Sequence, residues 1–285
     1  MFINIFNFVF KMDSPLVSVI IPTYNRAGLI LKAIRSVLCQ DYTDFELLIC
    51  DDGSTDNTED VVRSVKDKRI KYLRQENKGC AAARNLGLKN SNGWLIAHLD
   101  SDDYWLPGHL SALVEFFNIY PKAGMAFTQK ELVYLGCEPG EKKNYKKRDI
   151  PYEEKKEGFR LFKELIFDEY LFHGDLNAPS CSAVRREVYN DVGSYNKELI
   201  CNQDYDMHLR ISNRYKIGVI KKDTVYYLVH PGRISGNVKK EKYLKNRIKL
   251  YKNIMDKCRL SDIQTEYIRN IISEDEKEIQ HIASS

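Results

Sequence analysis

The order of apolar and polar positions divides the chain into elements before any chemistry is considered. Residues 16–22, "LVSVIIP", are rich in β-branched side chains, bounded by Pro15 and Pro22, and too short for a helix; they predict a fully buried strand. From Gly28 to Gln40, Ile30, Ala33, Ile34, Val37 and Leu38 recur at helical spacing and predict one apolar stripe. "FELLIC" (45–50) predicts the next buried strand, and Thr58 is placed as the cap of a helix running to Val65. "IKYL" (70–73) predicts a short strand, Ala81 to Lys89 a helix rich in small residues, and "WLIAHL" (94–99) a fourth strand. Pro107 suits a first helical turn and opens a helix to about Tyr120.

This strand–helix alternation predicts an α/β fold, an open and mostly parallel sheet flanked by helices. Beyond residue 120 the pattern loosens. It gives a strand near 124–128, a charged loop at 136–157, a helix near 158–167, another at about 204–213, and paired short strands near 216–229. After Gly236 the chain is charged and helix-prone, with no Gly or Pro. The expected divisions are an N-terminal extension (1–14), a ligand-binding α/β half (15–120), an irregular half of the same domain (121–237) and a C-terminal helical region (238–285). In open α/β sheets ligands bind beyond the carboxyl ends of the strands. "PTYN", "DDGS" and "DSDD" all fall at such ends, so three separated segments should converge on one crevice.

Composition changes this picture little. With 285 residues, 43% hydrophobic and 29% charged, the chain fits one large domain or a core domain with an appendage. The net charge of +4 selects no partner. The basic runs 141–149 and 239–253 suit either a solvated face or contact with an anionic membrane surface or lipid-linked substrate. Nucleic-acid binding needs a concentrated basic face with interleaved aromatics, of which the 239–253 run offers only a weak version. Seven scattered cysteines without a CxxC pair argue against a disulfide framework or zinc knuckle and for a reducing, cytoplasmic setting. No stretch approaches the roughly 20 apolar residues that span a bilayer. "MFINIFNFVFK" lacks a preceding basic residue and a cleavage site, so a signal peptide is not expected; Met12 offers a natural start, with residues 1–11 an upstream extension or short arm. Neither GxGxxG nor GxxxxGK[ST] occurs, which removes the dinucleotide and P-loop classes.

The apolar run 94–99 ends in Asp100, Asp102 and Asp103. Two carboxylates ~5 Å apart repel by roughly 3 kcal/mol at an effective dielectric near 20, so such a cluster calls for a cation. Asp100 and Asp102 are short oxygen ligands suited to Mg²⁺ or Mn²⁺, and an ion held by one or two carboxylates keeps positions open for substrate phosphates. A solvated turn with a capping Asp is the plainer alternative. A calcium loop is excluded, with no Gly at its sixth position and no Glu at its twelfth.

"VSVIIPTYNR", "DDGSTDNT", "NKGCAAARNLG", "HLDSDDYWLPGHL" and "NQDYDMHLR", in this order, resemble the family 2 glycosyltransferases of GT-A fold. The resemblance covers roughly residues 15–235 and is strongest over the first 110. It implies transfer of a sugar, with inversion, from a nucleotide-diphosphate donor to a hydroxyl of a growing surface polysaccharide or lipid-linked oligosaccharide. It implies that Pro22, Thr23 and Tyr24 cradle the nucleobase and that Asp52 accepts a ring N–H, which favours uracil, thymine or guanine, UDP first among them. Arg84, Asp100 and Ser101 are expected at the nucleotide, Asp102 as principal metal ligand with Asp100 and His230 beside it, and Mn²⁺ or Mg²⁺ as cofactor. Asp103 is expected to orient the following turn, and Arg233 and Ser235 to approach phosphate oxygens. Asp204 matches the catalytic base, although Gln203 stands where the family usually has Glu. A positioned base is what an acceptor hydroxyl needs to become a nucleophile. Two other readings share these features: a nucleotidyltransferase, which needs a Gly-rich basic loop that "PTYNRAG" does not supply, and a non-catalytic nucleotide- or sugar-binding protein. Contact with a membrane, if any, would be peripheral and through the basic C-terminal helices.

Overall fold

The computed structural model describes residues 17–136, 150–174, 177–232 and 238–284. The 1–14 extension, the basic run 141–149, Cys137, Arg233 and Ser235 lie outside the described residues.

Strands β1 (Val17–Thr23) and β2 (Phe45–Asp51) are buried at every position, and β4 (Leu95–His98) likewise, as uninterrupted apolar runs require when both faces of a sheet are covered. With β3 (Ile70–Arg74) they form a parallel array in the order β3-β2-β1-β4. The sheet then continues without a break into the second half. There β9 (Ser182–Arg185) lies antiparallel between β4 and β6 (Met125–Tyr134), and β10 (Ile217–Val229) runs parallel to β6. The antiparallel strands β8 (Phe159–Phe162) and β7 (Tyr152–Lys156) close that edge, and β5 (Tyr104–Trp105) pairs with β10 off the main path. Parallel pairing is thus confined to the first half and the β6–β10 pair.

Helix α1 (Ile30–Leu38) buries Ile30, Ala33, Ile34 and Val37, the stripe predicted from spacing. Helix α2 (Thr58–Ser64) begins at Thr58 instead of being capped by it: Asp56 Oδ1 accepts the Thr58 backbone N–H at 3.0 Å. Helix α4 (His109–Ile119) starts two residues after Pro107, because left-handed Gly108 forms its N-terminal boundary. The helix expected near 158–167 is a strand, β8, followed by the short helix α5 (Phe167–His173). Phe159 and Leu161 are buried while Arg160 and Phe162 are half-exposed, a period of two that a four-residue element barely displays. The paired short strands expected near 216–229 are one strand: the polar Lys221, Lys222 and Asp223, which resemble a turn, sit at a register shift within β10.

Helix α3 (Cys80–Asn90) packs on β1 and β2 through small residues. A Cβ on Gly87 would lie 2.6 Å from the Ile20 side chain, so the glycine sets how closely α3 approaches the sheet. Gly87→Ala is expected to destabilise the fold by about 1–3 kcal/mol through overpacking, visible as a lowered thermal midpoint. The short helix α6 (Arg186–Val192) follows β9, α7 (Gln203–Ser212) precedes β10, and α8 (Lys240–Lys257) pairs with α9 (Asp262–Ser284) against α7. Among the described residues no helix is long and apolar enough to cross a membrane.

Candidate active site

The strand order changes direction between β1 and β4, and a crevice must open there beyond their carboxyl ends. A cleft of about 680 Å³ lies at that place. Pro22, Thr23 and Tyr24 line it from the end of β1, Asp52 from the end of β2, and Asp100, Ser101 and Asp102 from the end of β4. Arg84 reaches it from α3, and Asp204 from the first turn of α7. Of the described residues expected at the nucleotide, metal or base, all but His230 line this cleft, and His230 is hydrogen-bonded to one that does.

The loops are fixed to one another by side chains that cap backbone. Asn25, in the left-handed region at φ 51°, accepts the Thr55 N–H at 2.7 Å through Oδ1 and donates its own N–H to Ser54 Oγ at 2.9 Å. The Arg26 and Ala27 N–H groups donate to Thr58 Oγ1 and Asp56 Oδ2, so "PTYNR" and "DDGSTDNT" form one stitched surface. Asp51 accepts the Ser54 N–H and the Tyr72 hydroxyl and is structural. Asp52 accepts from Gln75 Nε2 at 2.7 Å, from the Lys78 N–H at 2.9 Å and from the Gly79 N–H at 2.7 Å. A carboxylate offers about four lone-pair sites, so roughly one of them is left for a ligand. Asp52 therefore also shapes the 75–79 loop that leads into α3. The buried Thr23 hydroxyl and Arg84 Nε find no partner among the described residues, and both belong to the cleft wall. Buried polar groups are normally paired, so these two are free for a bound molecule.

At the end of β4 the three acids take different places. Asp100 Oδ1 accepts from Arg84 Nη2 at 2.7 Å. Asp102 Oδ2 lies 3.0 Å from His230 Nε2, which brings the segment after β10 onto the cluster. Asp103 is buried and accepts the Leu228 N–H at 2.9 Å and the Ser180 hydroxyl, so it ties β10 and the 179–181 segment to the end of β4, where the expectation is that it orients the turn that follows it. Burial and the neighbouring charges of Asp100 and Asp102 push the Asp103 carboxyl up to about 8. Burial likewise raises Asp100, with Asp102 and Asp204 adding to the shift against the opposing pull of Arg84. Three carboxyl groups thus crowd one buried guanidinium, and their ionised forms repel one another unless a further cation joins them. Among the described residues no three His, Cys, Asp or Glu side chains converge into a ligand set by themselves. The carboxylate oxygens of Asp102 and Asp100 are the donor chemistry of a hard cation held by one or two protein ligands, which would complete its shell with phosphate oxygens.

Asp204 follows Asn202, which sits in the left-handed region at φ 58°, and Gln203, whose Nε2 donates to the Leu199 carbonyl at 3.0 Å. Asp206, two residues on, faces the other way: it is buried and bonded to Arg210 and Asn253. Trp105, a sugar-stacking candidate by type, is core: it stacks on His109 and donates Nε1–H to the Ser180 carbonyl.

Sequence reasoning missed Asn246. It is buried on α8, accepts the Ile200 N–H at 2.7 Å and donates to the Cys201 carbonyl at 2.9 Å, holding the loop that presents Asp204. The available signal was its place, with Leu250 and Asn253, on one face of a helical run otherwise read as a basic patch. Part of that run is paired: Lys240 with Glu278, Lys245 with Glu241, Arg247 with Asp275 and Lys252 with Glu276.

Comparison with known proteins bears on this arrangement. The profile of glycosyl transferase family 2 matches residues 18–193. Uncharacterized glycosyltransferases of Rickettsia conorii, R. felis, R. typhi and R. prowazekii are 34 to 50% identical over the aligned segments, which cover 35 to 75% of this chain, and the chain spans 17 to 61% of their lengths. The Escherichia coli UDP-Glc:alpha-D-GlcNAc-diphosphoundecaprenol beta-1,3-glucosyltransferase WfaP is 31% identical over 234 residues, 79% of this chain and 82% of that one. Among solved structures, S. aureus TarS in complex with UDP-GlcNAc superposes with a TM-score of 0.68 at 22% identity, covering 91% of this chain and 71% of that one. The mannosyltransferase PcManGT from Pyrobaculum calidifontis, in complex with GDP-Man and Mn²⁺, gives 0.60 at 15% identity, covering 95% and 76%. At these identities the two structures speak for the fold.

Proposed function

The chain belongs to glycosyl transferase family 2, and from that membership we propose that it transfers a sugar from a UDP-sugar, with inversion and with Mn²⁺ or Mg²⁺, to a hydroxyl of a lipid-linked saccharide. The carrying observation is the convergence of Asp100, Asp102 and Asp204, from elements 100 residues apart, on one cleft with the ends of β1 and β2. UDP in the fold neighbour TarS and a diphosphoundecaprenol-linked acceptor in the relative WfaP support the choice of donor and acceptor class.

In this reading Thr23, Tyr24 and the remaining lone pair of Asp52 receive the nucleobase. Arg84 holds Asp100 in place for the ribose and diphosphate, with Ser101 beside it. Asp102 and His230, with Asp100, hold the cation, which when bound supplies positive charge for the departing diphosphate. Asp204 takes the proton of the acceptor hydroxyl as its oxygen attacks the anomeric carbon from the side opposite the diphosphate. One base and one displacement suffice, so no covalent sugar–enzyme species forms. A lipid-linked acceptor brings the chain to a membrane surface, at the cytoplasmic face if the donor is cytoplasmic.

The test is a thermal-shift panel of UDP-, GDP- and dTDP-sugars with and without Mn²⁺. Stabilisation by the UDP class that disappears with EDTA is expected; no response to any nucleotide would refute the donor assignment. Asp102→Ala is expected to weaken metal-dependent UDP binding about tenfold, near 1.4 kcal/mol, measured by calorimetry.

A further inference from the structure

A second cavity of about 340 Å³ adjoins the nucleotide cleft, and the two share Asn202 and Asp204. Its walls come from α5, α7 and the C-terminal pair α8 and α9, with Phe172, Tyr205, Tyr243 and Tyr267 facing it. The two helices that contribute Tyr243 and Tyr267 lie beyond residues 18–193, the span that the family profile matches. We propose that this aromatic groove is the acceptor subsite, and that it binds the neutral pyranose end of the acceptor saccharide and presents its hydroxyl to Asp204.

Three observations carry it. Position is the first: the cavity shares Asn202 and Asp204 with the nucleotide cleft but is lined by none of the residues expected at the nucleobase, diphosphate or metal, so a group bound in it meets Asp204 without occupying the donor's place. The second is surface chemistry. Phe172 and Tyr267 meet edge to face, with ring centroids 4.7 Å apart, and Tyr243 and Tyr267 are half-exposed, with hydroxyls that make no protein hydrogen bond among the described residues. Rings with a wet polar tip offer an apolar face to sugar C–H groups and a hydroxyl to sugar O–H groups. Charge is the third. Arg247, the one cation of the groove wall among the described residues, has Nε 2.8 Å from Asp275 Oδ2 and its Nη2 on the other oxygen of the same buried carboxylate. The pair is neutral and leaves Nη1 to donate. With Asp204 as the other charged wall residue among those described, the groove would repel a phosphate and accept uncharged hydroxyls. The saccharide is therefore what is read here, and its phosphate and lipid lie outside.

The proposal rests on Asp204 being the base, and its test separates the two ideas by reading donor and acceptor independently. Full-length chain is titrated with UDP and Mn²⁺ by calorimetry. In parallel, saturation-transfer NMR reads the binding of methyl glycosides of N-acetylglucosamine, glucose, galactose and mannose at millimolar concentration. At least one glycoside is expected to bind, about tenfold more weakly in Tyr243→Ala and Tyr267→Ala, with UDP affinity unchanged and Tyr243→Phe retaining most of the binding. Rescue by Phe separates ring stacking from a folding defect, which a thermal melt of each variant checks directly. If no glycoside binds, as when an alkyl chain or a polypeptide segment fills the groove instead, the subsite is wrong. The same holds if glycosides bind equally to the wild type and both Ala variants. Loss of UDP binding in the wild type would instead strike the donor reading while glycoside binding still reports on the groove.

Discussion

Asp204→Asn is expected to lower kcat by about 10²–10⁴-fold, the usual contribution of a positioned general base, while UDP binding in the presence of Mn²⁺ stays within about twofold of wild type. The substitution keeps the shape of the side chain and its acceptor oxygen. It therefore tests the lone pair that receives the proton and leaves packing untouched. Asp204 is half-buried, and its Oδ1 accepts the N–H of Tyr205 at 3.0 Å, a bond that an Asn carbonyl oxygen can keep. Asp206 cannot substitute for it, because Arg210 and Asn253 already occupy that buried carboxylate. Single-turnover transfer to a lipid-linked acceptor, read beside UDP calorimetry, decides the matter. Near-normal transfer by Asp204→Asn would move the base elsewhere, and equal losses in transfer and UDP affinity would make Asp204 a donor-binding residue.

Much of this cleft was legible in the chain because the physics that places it is local. Runs such as "VSVIIPT" and "FELLICD" are apolar at most positions and do not alternate with polar ones, so they read as central strands. Acids clustered directly after such runs had to stand at the strands' carboxyl ends. Convergence followed from the rule for open sheets. Where several weak signals had to cooperate over distance, the chain was less legible. The stitching of Asn25 to Thr55, and of Asp52 to the 75–79 loop, depends on which loops meet and leaves no mark of spacing. Strand β8 is too short to display its period. In β10 a charged interruption that reads as a turn is absorbed as a register shift, since β6 continues to pair on its far side. Asn246 was hidden inside a run whose lysines dominate its composition. Two of those lysines, Lys240 and Lys252, answer acids of α9, as Arg247 does, so part of the basic tract serves the fold.

The second large effect is on stability. Asp206→Ala is expected to destabilise the protein by about 3–5 kcal/mol, because it leaves the Arg210 guanidinium buried without its counter-charge. Both groups are inaccessible: Asp206 is 0% exposed and Arg210 4%. The pair is held at 2.7 and 3.1 Å, and Arg210 also donates to the carbonyls of Val192 and Ser194. It cannot swing out to water without releasing the chain that leaves α6. Asn253 on α8 completes the carboxylate's shell, so the same change also loosens the C-terminal helices from α7. Asp206→Asn removes the charge but keeps acceptor geometry and is expected to cost less than Asp206→Ala. For a chain of this size each kcal/mol moves the midpoint by about 2–4 °C, which puts the expected fall for Asp206→Ala near 10 °C. Calorimetric melting of both variants measures it. Replacing the pair together, Asp206→Leu with Arg210→Met, is expected to recover most of the loss, since a buried ion pair gains little over well-packed apolar side chains. If the single and double variants melted alike, the unpaired charge would not be the cause of the destabilisation.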